Sequence, residues 1–356
     1  MGYELNKKLA ELIPYEPISG EYKIRLDANE SCYNLSDEIT EEIADRMKRL
    51  SFNRYPDPYA SNAVKAFAEF YGIDESLVTA GNGSDELISV ISSCFLEKGD
   101  TAVTLAPDFT MYAFYGSLYE LNVEFFGKND DLTIDVDALI EFCKAKKAKA
   151  LIFSNPCNPT SLGISKNEVQ RIISSLECLI ILDEAYMDFW TESLISDIQK
   201  YDNCIILKTC SKAVGLAAVR LGFAVAGKTI TTALKAAKSP YNTDSISQMI
   251  GEVIFSHKDY LDNRIAEIIN NTQGLYKEII DLQEEFSLFE KVYETKTNFV
   301  FIKTSYEDRI FDELLKNSIA IRKFKGFLRI TSGTADENRE LISVLRNILA
   351  DIKTGG

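Results

Sequence analysis

Six short apolar runs recur along the first two thirds of the chain: AVTLAP (102–107), VEFF (123–126), ALIFSNP (150–156), CLIILDEAY (178–186), CIILKT (204–209) and GFAVAG (222–227). Helical patterns such as VDALIEFCKAKK and KNEVQRIISSL separate several of them. A strand with one wet face alternates polar and apolar residues, whereas these runs do not alternate. They need cover on both sides, and the intervening amphipathic helices supply it. The expectation is an α/β fold whose large domain holds a mostly parallel sheet sandwiched by helices. Two helix starts are marked by acids in the first turn, SDEITEEIADRMKRL from Ser36 and SDELISVISSCFL from Ser84.

After about residue 240 the texture changes to long, charged, helix-rich sequence, followed by strands around NFVFIKT and FLRITSG and a closing helix. This predicts a large domain over 31–240 and a smaller α+β domain built from 1–30 and 241–356. With 356 residues and 46% hydrophobic content, the chain can bury two cores.

A formal charge of −15 and the lack of a clustered basic face argue against nucleic acid and favour small-molecule partners. No run of eighteen apolar residues suggests a membrane span, and the N-terminus lacks a signal-peptide core. A soluble, cytoplasmic protein is expected. Seven cysteines without a CxxC pair suggest reduced thiols, neither a disulfide framework nor a zinc site. A single histidine, His257, leaves little room for histidine-based catalysis or metal binding, and no metal is expected.

Chemistry gathers at the strand ends, where open α/β sheets place ligands. GNGSDE (81–86) offers backbone N–H groups at a helix start, suited to a phosphate and equally to a plain glycine turn. SNPCNPTSLG (154–163) ends a buried strand in two Asn-Pro steps. LIILDEAYMDFW drives a buried strand into Asp183, with Tyr186 three residues on; a carboxylate there is costly unless something positive meets it. Mg²⁺ or a protonated heteroaromatic ring would serve, but the GxxxxGK[ST] loop of nucleotide hydrolases is missing. In SKAVGLAAVRLG, Lys212 sits among small apolar residues. Burial there would lower its pKa and free the amine as a nucleophile, as in Schiff-base lysines, or the side chain snorkels. The Ser211 hydroxyl and the Arg220 guanidinium together suit a phosphate clamp.

In this order the features resemble the fold type I pyridoxal-phosphate aminotransferases. RYPDPY (54–59), GNGSDE, NPCNPT, DEAY, SKAVGLAAVRLGF, SPYN (239–242), TNFVF (297–301) and LRITSGT (328–334) look like the motif set of the histidinol-phosphate aminotransferase family, across nearly the whole chain. The resemblance implies pyridoxal 5′-phosphate as cofactor, with Lys212 holding its aldehyde carbon and then shuttling the proton at the substrate's Cα. It pairs Asp183 with the ring nitrogen, sets Tyr186 and Asn158 on the ring's phenolic oxygen, and stacks Phe109 where a tyrosine is usual. Ser84, Asp85, Ser211 and Arg220 would hold the phosphate. Tyr55 would reach the cofactor phosphate of a neighbouring subunit, implying a homodimer. Arg329 would grip the substrate's anionic group, with Arg322 and Tyr15 adding phosphate contacts.

Three departures accompany the likeness. Ser161 stands where a glycine normally follows the threonine, Val214 replaces a common aromatic, and LDANES lacks the proline often found after its Asn-Glu pair. All lie where substrate choice could drift. The expected reaction is histidinol phosphate plus 2-oxoglutarate to imidazole-acetol phosphate plus glutamate. An aromatic or broad-range aminotransferase and a threonine-phosphate decarboxylase are the rivals within the class. A non-catalytic regulator would need a DNA-binding module for which the chain has no basic helix-turn-helix.

Overall fold

Strands and helices alternate as the apolar runs require. The structure, a computed structural model, describes residues 2–10, 12, 14 and 18–355. Its strands are β1 (Ile24–Leu26), β2 (Val78–Gly81), β3 (Thr101–Ala106), β4 (Asn122–Gly127), β5 (Ala150–Ser154) and β6 (Leu179–Asp183). They continue as β7 (Cys204–Thr209), β8 (Gly222–Ala226), β9 (Lys291–Val292), β10 (Phe299–Lys303), β11 (Ile319–Phe324) and β12 (Phe327–Thr331).

Seven strands form one sheet in the order β2-β8-β7-β6-β5-β3-β4. Neighbours from β4 through β7 pair in parallel, whereas β8 runs antiparallel to both β7 and β2. The non-alternating runs are buried on both faces. Ile180, Leu182 and Ile206 face a core with the helices Ser61–Tyr71, Val136–Ala145, Lys166–Ser175 and Ser245–Ser256. Ile181, Ile205 and Leu207 face the other side, under Gly83–Cys94, Met111–Leu118 and Lys228–Ala237. Period-two geometry sends successive side chains to opposite faces, so an unbroken apolar run serves both layers.

The second sheet has the order β1-β11-β12-β10-β9 and carries its own core. β1 joins it in parallel with β11, which brings the N-terminal segment into this part. The helix Lys258–Phe286 connects the two cores: Leu261 packs with the seven-stranded sheet, and Leu275, Ile279 and Leu282 with the five-stranded one. The closing helix Ala335–Lys353 starts with a capping box, in which Thr334 accepts from the Glu337 backbone and Glu337 answers it. Among the described residues, no helix is long and apolar enough to cross a membrane.

Candidate active site

Parallel register brings the marked side chains to one edge. Ser154 at the end of β5 lies opposite Asp183 at the end of β6, and Asp183 opposite Leu207 of β7, just ahead of Ser211 and Lys212. The Lys212 amine donates to the carbonyl of Ala28 at 2.9 Å and lies 5.9 Å from the Tyr186 ring centre. Loss of water around it, and next the positive charge of Arg329, pull its pKa down to about 8. The depressed amine expected from the apolar surroundings is therefore present.

Asp183 is only 4% exposed. Its Oδ2 accepts from the Tyr112 hydroxyl at 2.7 Å and its Oδ1 from the Ala185 N–H at 3.0 Å. Burial pushes the carboxyl up to about 6, opposed by these two bonds, so at neutral pH it stays ionised and ready to face a cation. Tyr112 was not among the residues singled out from the sequence. It sits one helical turn after Phe109, whose ring it meets edge-on at 5.5 Å. Burial, and then the Asp183 charge, raise the Tyr112 phenol well above its ordinary value, which keeps it a donor.

Tyr186 accepts from Asn29 Nδ2 at 2.9 Å, and burial lifts its phenol to about 12. Asn158 Oδ1 accepts from Arg329 Nη1 at 2.5 Å, while Arg329 Nη2 donates to the Asp27 carbonyl at 2.7 Å. Thus Lys212, Asp183, Tyr186, Asn158 and Arg329 lie in one cleft between the two sheets. Asn29, held by Thr331 and in left-handed backbone with φ 54°, is a further member that LDANES gave no reason to select.

A second cluster lies at the start of the helix Gly83–Cys94. Asn82 makes no side-chain capping bond there, which leaves first-turn N–H groups for another acceptor. Arg220 Nη1 is 3.4 Å from Ser211 Oγ, and its Nη2 is 3.7 Å from Asp85 Oδ2. The cradle is closely packed. A Cβ on Gly83, whose φ is +79°, would stand 2.8 Å from Arg220 Nη2, and one on Gly222 would stand 2.6 Å from the Ser84 nitrogen.

A ring with an aldehyde, a basic nitrogen and a phosphate fits these three places: an amine of lowered pKa, a buried carboxylate, and a helix start flanked by a hydroxyl and a guanidinium. Fold and cleft together define a pyridoxal-phosphate-dependent aminotransferase. The chain belongs to the aminotransferase class I and II family, whose model matches residues 21–345. It is 40% identical over 352 residues to a histidinol-phosphate aminotransferase of Clostridium novyi, covering 98% of each chain. It is 36% identical over 348 residues to one of Clostridium kluyveri, covering 96% of this chain and 98% of the relative. The fold is similar to the crystal structure of a Sinorhizobium meliloti histidinol-phosphate aminotransferase in complex with pyridoxal-5′-phosphate, with a TM-score of 0.87, 21% identity and 99% of both chains covered.

The remaining residues of interest fall elsewhere. Tyr55 is 82% exposed, and its ring stacks on Tyr241 at 4.6 Å. Arg322 on β11 lies directly across from Arg329 on β12. Tyr15 lies outside the described residues. Val214 is buried in the core of the large sheet, so this departure is absorbed by packing. His257 pairs with Glu42 at 2.8 Å, between the helix junction at 257 and the helix Asp37–Met47.

Behind Asp183 lies a buried ion cluster. Lys208 is 2.7 Å from Asp188 and 3.6 Å from Glu184; Tyr71 donates to Asp188 at 3.0 Å, and Ser193 to Glu184 at 2.6 Å. Burial alone would lower the Lys208 pKa, but the two carboxylates outweigh it and raise it. The cluster ties both ends of the DEAYMD turn to the sheet.

Two tests arise from this geometry. The rate at which cofactor-free protein captures pyridoxal phosphate should rise with pH to about 8 and level off above it, because only the unprotonated Lys212 amine attacks an aldehyde. Stopped-flow absorbance measures this, and a rate flat from well below to well above that value contradicts it. Gly222→Ala should weaken cofactor retention by about tenfold to a hundredfold, the result of overpacking worth about 1–3 kcal/mol against the Ser84 nitrogen. Equilibrium dialysis of the variant reads the change.

Proposed function

We propose that the chain transfers an amino group between histidinol phosphate and 2-oxoglutarate, giving imidazole-acetol phosphate and glutamate. The observation that carries this reading is the Arg329 guanidinium, which shares the cleft with Lys212 closely enough to depress its amine. A planar guanidinium grips a carboxylate or a phosphate with paired bonds, so one residue can serve a dicarboxylate in one half-reaction and a phosphate ester in the other. Arg322, opposite it on the next strand, adds a second positive charge toward the same anion. Relatives of that printed activity, 40% and 36% identical over nearly the whole length, support the choice.

In this reading Ser84, Asp85, Ser211 and Arg220 hold the phosphate of the cofactor, and Phe109 covers its ring. Bound there, pyridoxal phosphate supplies an electron-withdrawing ring that stabilises negative charge at the substrate's Cα. Asp183 keeps the ring nitrogen protonated, helped by Tyr112. Tyr186 and Asn158 hold the phenolic oxygen. Lys212 would take the proton from the substrate's Cα and deliver it to the cofactor's former aldehyde carbon across the amino nitrogen, which its lowered pKa allows near neutral pH. The part around the five-stranded sheet acts as the closing domain and carries Arg329 toward Lys212.

The exposed rings of Phe52, Tyr59 and the stacked pair Tyr55 and Tyr241 are assigned to contact with a second copy of the chain, with Tyr55 reaching the partner's phosphate site. The reaction is assigned to the cytoplasm, where seven free thiols persist. Single-turnover rates with histidinol phosphate, phenylalanine and threonine phosphate test the substrate. Histidinol phosphate should be fastest, and a faster reaction with phenylalanine, or carbon dioxide released from threonine phosphate, rejects the proposal. Light scattering combined with Tyr55→Phe tests the dimer: a monomer in solution, or a variant with unchanged cofactor retention, removes Tyr55 from the site.

A further inference from the structure

Ser161, the serine that replaces a glycine in the Asn-Pro loop, takes no part in the chemistry above, yet it is fully buried and bonded on several sides. It is 0% exposed, and its φ of 63° is left-handed backbone that favours glycine. Its Oγ lies 2.8 Å from Thr297 Oγ1 and 3.2 Å from Thr295 Oγ1, and accepts the Lys296 N–H at 2.9 Å. All three partners lie in the turn that leads into β10. Within β10, Phe299 meets the Tyr186 ring edge-on at 5.4 Å, and Phe301 is the direct cross-strand neighbour of Arg329.

Three residues earlier in the same loop, Asn158 bonds Arg329 itself. One loop of the large sheet thus grips the five-stranded part twice, once at the guanidinium and once at the turn feeding the adjacent strand. A single bond leaves two bodies free to pivot about it in every direction, whereas two separated bonds leave only rotation about the line that joins them.

We propose that Ser161 is a positioning residue whose hydroxyl docks the Thr295–Thr297 turn on the Asn-Pro loop and so sets where Arg329 stands relative to Lys212. The inference rests on the reading that Arg329 holds the substrate's anionic group. The chain carries its own reporter, because Trp190 is its one tryptophan. A Cβ on Gly163 would stand 2.6 Å from the Trp190 ring, and Lys296 Nζ lies 4.3 Å over that ring. The indole therefore touches both sides of the seam.

The test uses the holoenzyme, with succinate as a dicarboxylate that cannot react. Ser161→Ala should weaken succinate binding by about tenfold, the scale of one lost hydrogen bond of about 1.4 kcal/mol. It should raise KM for both substrates more than it lowers kcat, shift Trp190 emission, and leave cofactor retention unchanged. Ser161→Gly, which relieves the backbone but also lacks the hydroxyl, should behave the same way. Thr297→Val should weaken succinate similarly without touching the loop backbone, and it decides the matter if either Ser161 variant fails to fold. The double variant Ser161→Ala, Thr297→Val should be no weaker than the weaker single one. Succinate affinity within twofold of the parent in Ser161→Ala or Thr297→Val overturns the proposal, as does parental affinity in Ser161→Gly. Arg329→Lys separates the two ideas. If it weakens succinate while Ser161→Ala does not, only the docking role falls; if it has no effect, the Arg329 reading falls and the docking role with it.

Discussion

Lys212→Ala is expected to lower turnover by about 10⁴-fold, the upper range for removing one acid–base group, with the loss of the covalent anchor adding to it. The Lys212 amine is held against the Ala28 carbonyl at 2.9 Å, where burial and then the Arg329 charge lower its pKa. Borohydride treatment followed by mass measurement provides a reading independent of rate. The parent should retain the cofactor covalently after reduction, and the variant should release it on unfolding. A variant that still carried the label on another lysine would show that the amine had been misassigned.

The largest effect on stability is expected from Lys208→Met. It removes the cation that pairs with Asp188 and Glu184, and breaking one side of a buried ion pair costs about 3–5 kcal/mol. Tyr71→Phe, which deletes only the 3.0 Å bond to Asp188, should cost about 1 kcal/mol. The pH dependence has a definite sign. Burial raises the Glu184 carboxyl and Lys208 opposes that rise, so without Lys208 the folded state binds more protons there and the deficit grows as pH rises. Urea unfolding at mildly acidic and mildly alkaline pH measures both quantities. A loss below about 1 kcal/mol, or one that shrinks with rising pH, contradicts the assignment. Because the cluster anchors the DEAYMD turn, cofactor retention should fall as well.

The parallel sheet was legible because runs such as CLIILDEAY and CIILKT have no polar alternation, and the structure buries Ile180, Ile181 and Leu182 on alternating faces. Lys212 was legible for a related reason: a cation surrounded by alanine, valine and glycine has few places to go. What stayed hidden depends on partners distant along the chain. Tyr112 reads as one more aromatic on an apolar helix until the fold sets it 2.7 Å from Asp183, 71 residues away. Asn29 meets Tyr186 from just past β1, in a sheet whose strand order no local pattern encodes. Ser161 was visible as a departure, but its partners at 295–297 were not. The pairing of Lys208 with Glu184 follows from the register of β6 beside β7, which no local pattern shows.

The reversed direction of β8 has a consequence for how this cleft can change. A parallel successor to β7 would need a crossover of a dozen or more residues back to the far end of the sheet before the chain could return. Antiparallel pairing of Thr209 with Gly222 removes that journey, so the connection leaves and re-enters the sheet at the same edge. On the proposed reading, the reacting amine and the phosphate-holding guanidinium therefore share one connection, 210–221, folded through turns and the 3-10 helix Ala217–Val219 between two fixed posts. Substitutions within it are absorbed by packing, as Val214 illustrates, but a change in its length would alter the distance between the two grips on a rigid ring. If Lys212 and Arg220 hold the two ends of the cofactor as proposed, the span from Ser211 to Arg220 acts as a ruler for it, so variation there should be in residue type and not in residue number.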